Sequence, residues 1–328
     1  MPAATSANGA VAAINAAEPV APPIPRRGTP MTISQLRILV ATDLDDSGAE
    51  VLLQAHERAG SIGGLLGVCH VMPSGGVHML FPQRYAREAE EAASLEERAR
   101  AAVAQRVTSV TGRSRREFEI FVDHGTAYAE IVRRAETWHA ALLIVGGHAA
   151  TGAAHVLRAG VAEKVARYAH CPVLVARHPA TRGLVLCATD LSTPSLAAVA
   201  AAAAEARLRG AKLVVLHVVD QGLPLATVTS TEGLTPLVLS PEMLHDLRES
   251  ARAEIAAVLG RLEAQAESVI LEGHAASTIL KYVEDSCPEL VVVGAHGRTR
   301  LGRILLGSVA EHVVRSAKSS VLVVRLPP

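Results

Sequence analysis

The sequence predicts an α/β fold made of two tandem doubly wound domains, each with a five-stranded parallel sheet. Three observations lead to this prediction: the chain repeats itself once, short apolar runs alternate with helical stretches, and the apolar runs lack polar alternation. Continuous Val and Leu runs are typical of strands that are buried on both faces, as in a parallel sheet covered by helices. With 328 residues, the chain is long enough for two such domains.

The repeat is visible when the two halves of the chain are compared. RILVATDL at 37–44 corresponds to LVLCATDL at 184–191, and LIVGGH at 143–148 corresponds to VVVGAH at 291–296. The offset is 147 residues at the first motif and 148 at the second. Solenoid repeats are about 20–50 residues long, so this period indicates a duplicated domain.

The composition along the chain sets the expected domain boundaries. We expect a flexible Ala- and Pro-rich leader at 1–35, a first domain at 36–177 and a second at 183–328, with a short linker at 178–183. In the leader, the basic residues follow the Ala stretch, which is the reverse of a secretory signal. The expected location is therefore the cytoplasm.

In the second half, strands are predicted at the apolar runs Leu184–Ala188, Leu213–Val219, Ser268–Leu271, Leu290–Val293 and Val321–Val324. Helices are predicted at the Ala-rich or amphipathic segments near 195–209, 241–266, 276–286 and 308–317. We expect a long connection at 220–240 and, in the first half, an amphipathic cover helix at 86–106. This alternation, with right-handed crossovers, gives the doubly wound architecture.

Composition and motifs exclude several function classes. The 32 basic and 32 acidic residues balance, whereas a dedicated nucleic-acid binder needs a basic excess. The longest apolar run, Leu196 to Ala204, is far too short to cross a membrane. The four cysteines form no CxxC pair, which argues against a zinc site or a disulfide framework. No Walker loop, GxSxG elbow or HExxH motif is present.

The chemistry is expected at the carboxyl ends of the strands, where ligands bind to open parallel sheets. After the fourth strand of the second half, Gly294 and Gly297 allow the backbone to approach a ligand without a Cβ in the way. Gly307 and Ser308 are then predicted to open a helix whose free amides form an anion site. Basic residues in the same loop add positive charge: Arg298, Arg300 and Arg303. The loop is predicted to bind phosphate.

The spacing of Gly294, Gly297, Gly307 and Ser308 resembles the Gly-x2-Gly-x9-Gly-Ser/Thr pattern of ATP-binding universal stress proteins. The resemblance implies Rossmann-like domains of the adenine nucleotide alpha hydrolase-like kind, with strand order 3-2-1-4-5. It implies ATP, with Mg²⁺ or Mn²⁺, between strands one and four. Carried onto this chain, the implied nucleotide-binding residues are Ala188, Thr189, Asp190, Val218, Gly294, His296, Gly297, Arg298, Gly307, Ser308 and Val309.

The first half departs from this pattern. Ala149 places a methyl group where the backbone should approach the ligand, and Gly160 lacks the hydroxyl that would cap the helix. Position 159 is Ala in place of Gly, although the aspartate and the valine of the implied adenosine pocket are kept. We therefore expect a weak or empty first site, with the vestigial residues Asp43, Val71, Gly146, Ala149 and Gly160.

Several of these residues also have structural interpretations. Asp43 and Asp190 can cap the turn that follows them, because Thr-Asp before a helix is a common start signal. Histidines at the end of strand two and in the loop after strand four are interpreted as structural, through core or loop-shaping hydrogen bonds: His70, His217, His148 and His296.

Three functional hypotheses follow. The first is an ATP-binding stress-response regulator with the nucleotide in its second domain and a protein partner not identified by the sequence. The second is a nucleotide-independent scaffold, in which 173–176 and 321–324 pair within one chain as a pseudo-dimer; a homodimer of whole chains is left open. The third and least favoured is a slow ATPase, since the sequence places no nucleophile beside an evident base.

Overall fold

The computed structural model describes residues 36–45, 48–73, 85–147, 153–178, 183–219, 228–230, 233–235, 240–297 and 306–326. The predicted leader and residues 179–182 of the predicted linker lie outside these ranges. None of the helices within them combines the length and the apolar character that a membrane span requires.

The first half alternates strands with helices, as its sequence predicts. Its strands are β1 (Arg37–Ala41), β2 (Leu65–Met72), β3 (Phe118–His124), β4 (Leu142–Gly146) and β5 (Val173–Ala176). Its helices are α1 (Ala49–Ile62), α2 (Tyr85–Thr111), α3 (Ala127–Thr137) and α4 (Ala153–Tyr168). The predicted cover helix at 86–106 lies within α2.

The second half repeats this order. Its strands are β6 (Leu184–Thr189), β7 (Lys212–Val219), β8 (Val228–Ser230), β9 (Gly233–Thr235), β10 (Glu267–Glu272), β11 (Leu290–Gly294) and β12 (Ser320–Val324). Its helices are α5 (Thr193–Arg209), α6 (Pro241–Arg261), α7 (Ala275–Ser286) and α8 (Ser308–Ser316). The five predicted strands and four predicted helices are observed. The sequence analysis missed the antiparallel pair β8 and β9 inside the 220–240 connection.

Ten strands form one continuous sheet in the order β10-β7-β6-β11-β12-β5-β4-β1-β2-β3. Within each half, all neighbouring strands are parallel, and the order is 3-2-1-4-5, as the resemblance implies. The halves join where β5 and β12 pair antiparallel, with Leu174 opposite Leu322 at the centre of the register. The pairing expected between 173–176 and 321–324 is therefore observed within the chain.

The sheet is buried on both faces, which explains its continuous apolar runs. Leu39 and Val40, adjacent in β1, point to opposite faces, and both are fully buried. The equivalent neighbours Leu186 and Cys187 in β6 are buried in the same way. Because both faces carry helices, polar alternation is absent from the strands, and polar side chains collect where the strands end.

Candidate functional site

In the second half, three strand ends come together at the carboxyl edge of the sheet. Ala188 of β6 lies opposite Leu216 of β7 on one side and Val293 of β11 on the other. The segments that leave β6 and β11 therefore start beside each other. This is the point in the 3-2-1-4-5 order where the direction of winding reverses, the usual ligand position in an open α/β sheet.

The turn after β6 is held by its own side chains. Asp190 Oδ1 accepts hydrogen bonds from the backbone N–H of Ser192 at 3.0 Å and from its hydroxyl at 2.5 Å. Thr189 Oγ1 accepts the N–H of Leu191, which has a φ of +64°, and lies 2.9 Å from Ser195 Oγ. A leucine in the left-handed region costs on the order of 1 kcal/mol, so the surrounding bonds must hold it there. The structural interpretation of Asp190 as a turn cap is confirmed for Oδ1.

The other oxygen of the same carboxylate faces the loop that leaves β11. A Cβ added to Gly297 would stand 2.5 Å from Asp190 Oδ2, a distance that real Cβ atoms do not adopt. Only glycine fits at this position while the carboxylate stays where it is. The missing Cβ at Gly297 thus makes room for the Asp190 carboxylate, and its predicted role in approaching a ligand stays a prediction.

The loop returns to the same place before α8 begins. The N–H of Gly307 donates to Ala295 O at 2.8 Å, and a Cβ on Gly307 would lie 3.9 Å from the nitrogen of Gly297. Gly307 is the N-cap of α8, and Ser308, which is exposed, is its first helical residue. The first amides of α8 have no acceptor within the helix. The prediction that Gly307 and Ser308 open this helix is confirmed, and its amino end lies beside Gly297.

Gly294 has a different neighbour. Its hypothetical Cβ would lie 3.2 Å from Ser195 Cα and 3.5 Å from Pro194 O, both in the first turn of α5. Glycine here lets α5 pack closely against the end of β11. Val218 is buried in β7, and Val309, half-buried in α8, packs against the same hydrophobic cluster.

The two histidines of strand two are structural, as the sequence predicts. His217 is buried, and its Nδ1 lies 2.8 Å from Thr189 O. His70 makes the same bond to Thr42 O at 2.9 Å. A carbonyl oxygen only accepts, so Nδ1 carries the hydrogen in each ring. These bonds tie strand two to the end of strand one in both halves. His296 lies half-buried at the start of its loop.

Some predicted residues lie outside the described ranges. They are Arg298, Arg300 and Arg303 in the second half and His148 and Ala149 in the first. Their roles stay predictions. Within the described part of the chain, no group of three metal-ligating side chains occurs.

The first half has a cavity of about 350 Å³ at the equivalent edge. Its lining includes Thr42, Asp43, His70, Val71 and Gly146, so three of the predicted vestigial residues do meet in one place. Asp43 Oδ1 lies 3.4 Å from the N–H of Asp45, the counterpart of the turn at Asp190, and Leu44 has a φ of +69°.

The phosphate side of the first half differs from the expected arrangement. Helix α4 begins at Ala153, so positions 159 and 160, which match Gly307 and Ser308, lie inside the helix. The interpretation of Gly160 as a cap position without its hydroxyl is therefore wrong. Amides in the interior of a helix donate to carbonyls one turn earlier and are not free for an anion. This half lacks a helix amino end at the matching position, which is a stronger reason for a weak site than a missing hydroxyl.

The sequence analysis missed Ser192 and Ser195, which fix the Asp190 carboxylate and the turn around it. A signal for Ser192 was present. Ser-Thr-Pro at 192–194 is an N-cap followed by proline in the first turn of a helix, and Ser192 is the N-cap of α5.

Comparison with known proteins assigns both halves to one family. A family model described as "Universal stress protein family" matches residues 36–177 and 182–325. The chain is similar to universal stress protein MJ0531 of Methanocaldococcus jannaschii, with 34% identity over 143 residues that cover 42% of this chain and 79% of that protein. It is also similar to universal stress protein YxiE of Bacillus subtilis, with 31% identity over 149 residues, 43% of this chain and 97% of that protein.

The whole fold also has a counterpart among solved structures. A universal stress protein from Archaeoglobus fulgidus aligns with 90% of this chain and 98% of its own, with a TM-score of 0.60 and 21% sequence identity. At this identity the match shows the fold alone. It covers both halves, so the shared architecture is the tandem arrangement.

Proposed function

Because the chain belongs to the universal stress protein family, we propose that its second half binds ATP and that the protein acts as a nucleotide-responsive regulator in the stress response. The nucleotide lies at the edge where β6 and β11 end. Its adenosine part is held on the side of Asp190 and Val218, and its phosphates are held at the amino end of α8.

One observation carries this proposal: the Asp190 carboxylate and the amino end of α8 meet at Gly297, where no Cβ fits. A carboxylate accepts hydrogen bonds from ribose hydroxyls, and free helix amides donate to phosphate oxygens. These two kinds of group, side by side at a strand switch point, match the two ends of a nucleotide. Asp190 also caps its own turn through Oδ1, which fixes the position of Oδ2.

The residues present fit ATP better than they fit a protein-bound metal ion. The described residues hold no cluster of metal ligands, so Mg²⁺ or Mn²⁺ comes with the triphosphate in this proposal. A bound cation neutralises phosphate charge. Within the chain, the amides of Ser308 and Val309 hold the phosphates, and Asp190 orients the sugar.

The regulatory step is a population shift. Contacts between phosphate and the amino end of α8 favour one arrangement of Gly297, Gly307 and Ser308, and this changes the surface that is offered to a protein partner. The energy available for the shift equals the difference in nucleotide affinity between the two conformations.

The test is Gly297→Ala, with Gly260→Ala as the matched control. A Cβ at Gly297 overlaps the carboxylate of Asp190, whereas a Cβ at Gly260 in α6 meets nothing within 4 Å. We expect Gly297→Ala to weaken ATP binding by at least about tenfold, or ~1.4 kcal/mol, in calorimetric titration with Mg²⁺. Gly260→Ala should bind as the wild type does. Equal affinity in all three proteins would overturn the site.

A nucleotide-independent scaffold is the second candidate, and the continuous sheet through β5 and β12 favours it. In a scaffold, the two halves hold one rigid surface, and the glycines serve only packing. Capture of its partner is then unchanged by ATP and by Gly297→Ala, but is lost when Leu322→Asp disrupts the central strand pair. If partner capture responds to ATP in the wild type and this response is lost in Gly297→Ala, the scaffold hypothesis is wrong.

A further inference from the structure

Two arginines at equivalent positions cross from one half of the molecule to the other. Arg177 follows β5, and Arg325 follows β12, 148 residues later. Arg177 Nη2 donates to Val314 O at 2.5 Å, at the carboxyl end of α8. Arg325 Nη2 donates to Ala166 O at 2.6 Å, at the carboxyl end of α4. Each half therefore caps the last turn of the helix that follows strand four of the other half.

The contact made by Arg177 is the more deeply buried of the two. The residue is 8% exposed, and burial lowers the pKa of its guanidinium to about 10. Nη1 also donates to Ser319 O at 3.2 Å. The guanidinium therefore contacts one carbonyl in the last turn of α8, that of Val314, and one just after the helix, that of Ser319. The last carbonyls of a helix have no internal donor and carry its partial negative charge, so a cation is favoured there.

Space for this guanidinium is provided by Gly147, directly after β4. A Cβ on Gly147 would overlap Val175 Cγ1 and would also lie 2.9 Å from both Cζ and Nε of Arg177. The equivalent residue in the second half is Ala295, which is buried with its methyl group in place. The two halves therefore differ at this position: a Cβ is excluded at Gly147, beside Val175 and Arg177, and is present at Ala295.

A second bond between the halves reaches the amino-terminal part of α8. Glu311 lies in the first turn of α8, where its carboxylate would repel a phosphate. Arg167 of α4 pairs with it at 2.7 Å. The first half thus holds α8 at its carboxyl end and also compensates an unfavourable charge near its amino end.

We propose that Arg177 is a positioning residue for the phosphate site at the amino end of α8, so that the ATP site of the second half depends on the first half. The inference rests on the proposed function. Seven residues of α8, from Ser308 to Val314, or about 10 Å of helix, separate the phosphates from the carbonyl that Arg177 bonds. Arg177 therefore acts by fixing the position and the charge of α8 and not by contact with the phosphates. As a result, it affects the affinity for the phosphates and does not affect the adenosine contacts on the side of Asp190.

The experiment measures the binding of ATP and of adenosine to the full chain and to three variants. Arg177→Gln removes the cap of α8, and Arg177→Lys keeps the charge. Arg325→Gln is the matched control, because it removes the equivalent cap from α4. We expect Arg177→Gln to weaken ATP binding about tenfold, to change adenosine binding by less than twofold, and to be partly rescued in Arg177→Lys. Arg325→Gln should keep the wild-type ratio of the two affinities.

The outcomes separate this inference from the proposed function. If the wild type does not bind ATP, both are wrong. If it binds but Arg177→Gln keeps its ratio of ATP to adenosine affinity, Arg177 is only a structural contact, and the inference alone is overturned. Should Arg177→Gln fail to fold, the ratio is measured in Arg177→Met, which keeps a long side chain but removes the charge and both hydrogen-bond donors to the end of α8. An unchanged ratio there overturns the inference in the same way.

Discussion

Arg58 and Glu205 occupy the same position in the two halves, 147 residues apart, and form an ion pair with each other. Arg58 lies on α1 and Glu205 on α5, and Glu205 is only 3% exposed. Arg209 shares the same carboxylate at 3.2 Å. Two identical halves would oppose like charges at this point. Because the two halves carry opposite charges at this position, the two different halves of the chain attract each other here, whereas two copies of the same half would repel.

Glu205→Gln should destabilise the protein substantially. The substitution keeps the shape of the buried Glu205 side chain but removes its charge, so the half-buried guanidinium of Arg58 loses its carboxylate partner. Burial and the neighbouring Arg209 lower the pKa of Arg58 to about 10. Breaking a fully buried ion pair from one side costs about 3 kcal/mol or more. Because Arg58 is partly exposed, we expect a loss of about 2 kcal/mol here. The free energy of unfolding in urea measures this loss.

An exposed pair provides the control for that measurement. Glu249 pairs with Arg252 on α6, and both side chains are about half exposed. Glu249→Gln should change the free energy of unfolding by less than ~1 kcal/mol. Equal effects of Glu205→Gln and Glu249→Gln would show that the ion pair between the halves stabilises the fold no more than an exposed pair does.

A buried carboxylate at the end of β3 should make stability depend on pH. Burial alone would raise the pKa of Asp123, but hydrogen bonds and charges from Arg134 and Arg133 outweigh it and hold the pKa below its ordinary value. A carboxylate of this kind stabilises the fold above its unfolded pKa, about 3.9, and the stabilisation is lost as the pH falls through the folded value.

Asp123→Asn should therefore be less stable than the wild type at pH 7 by about 2 kcal/mol, and the gap should narrow below about pH 4. Urea denaturation of both proteins at pH 7, 5, 4 and 3 measures this difference in the free energy of unfolding. A gap that stays constant to pH 3, or that widens in acid, would show that the pKa of Asp123 is not lowered in the folded protein.

The cysteines should differ sharply in reactivity. Burial raises the pKa of Cys69 to about 12, that of Cys171 to about 11, and that of Cys187 still further above its ordinary range. Cys287, half-buried at the end of α7, is the accessible thiol. Because the thiolate is the reactive form, a disulfide reagent at pH 8 should modify one thiol rapidly in the native chain and all four in urea. Cys287→Ser should abolish the rapid phase; fast reaction of further thiols would contradict the described core.

The strand pattern of this fold could be predicted from sequence because burial on both faces leaves continuous apolar runs. Each predicted strand of the second half differs from the observed one by at most one residue at either end. Helix starts were harder to predict. Helix α4 begins at Ala153, seven residues before Gly160, because its Ala-rich start is a good helix former with no stop signal. The family spacing gave no indication of this extension.

The pairing of strands between the halves was expected, but the side-chain contacts between them could not be predicted from local patterns. Arg177 and Arg325 stand just after apolar strands and read as ordinary strand-end charges. Their partners are backbone carbonyls, which every residue has, so no residue type in the sequence indicates them. The pairing of Arg58 with Glu205 becomes visible only when equivalent positions of the repeat are compared for opposite charge.

The most direct test of this account is a calorimetric titration of the full chain with ATP and Mg²⁺, repeated with Gly297→Ala. The account predicts one site per chain in the wild type, held by the second half, and binding weaker by at least about tenfold in the variant. A stoichiometry of two with similar affinities would contradict the role given to the extended helix α4. Absence of binding would contradict the nucleotide site itself.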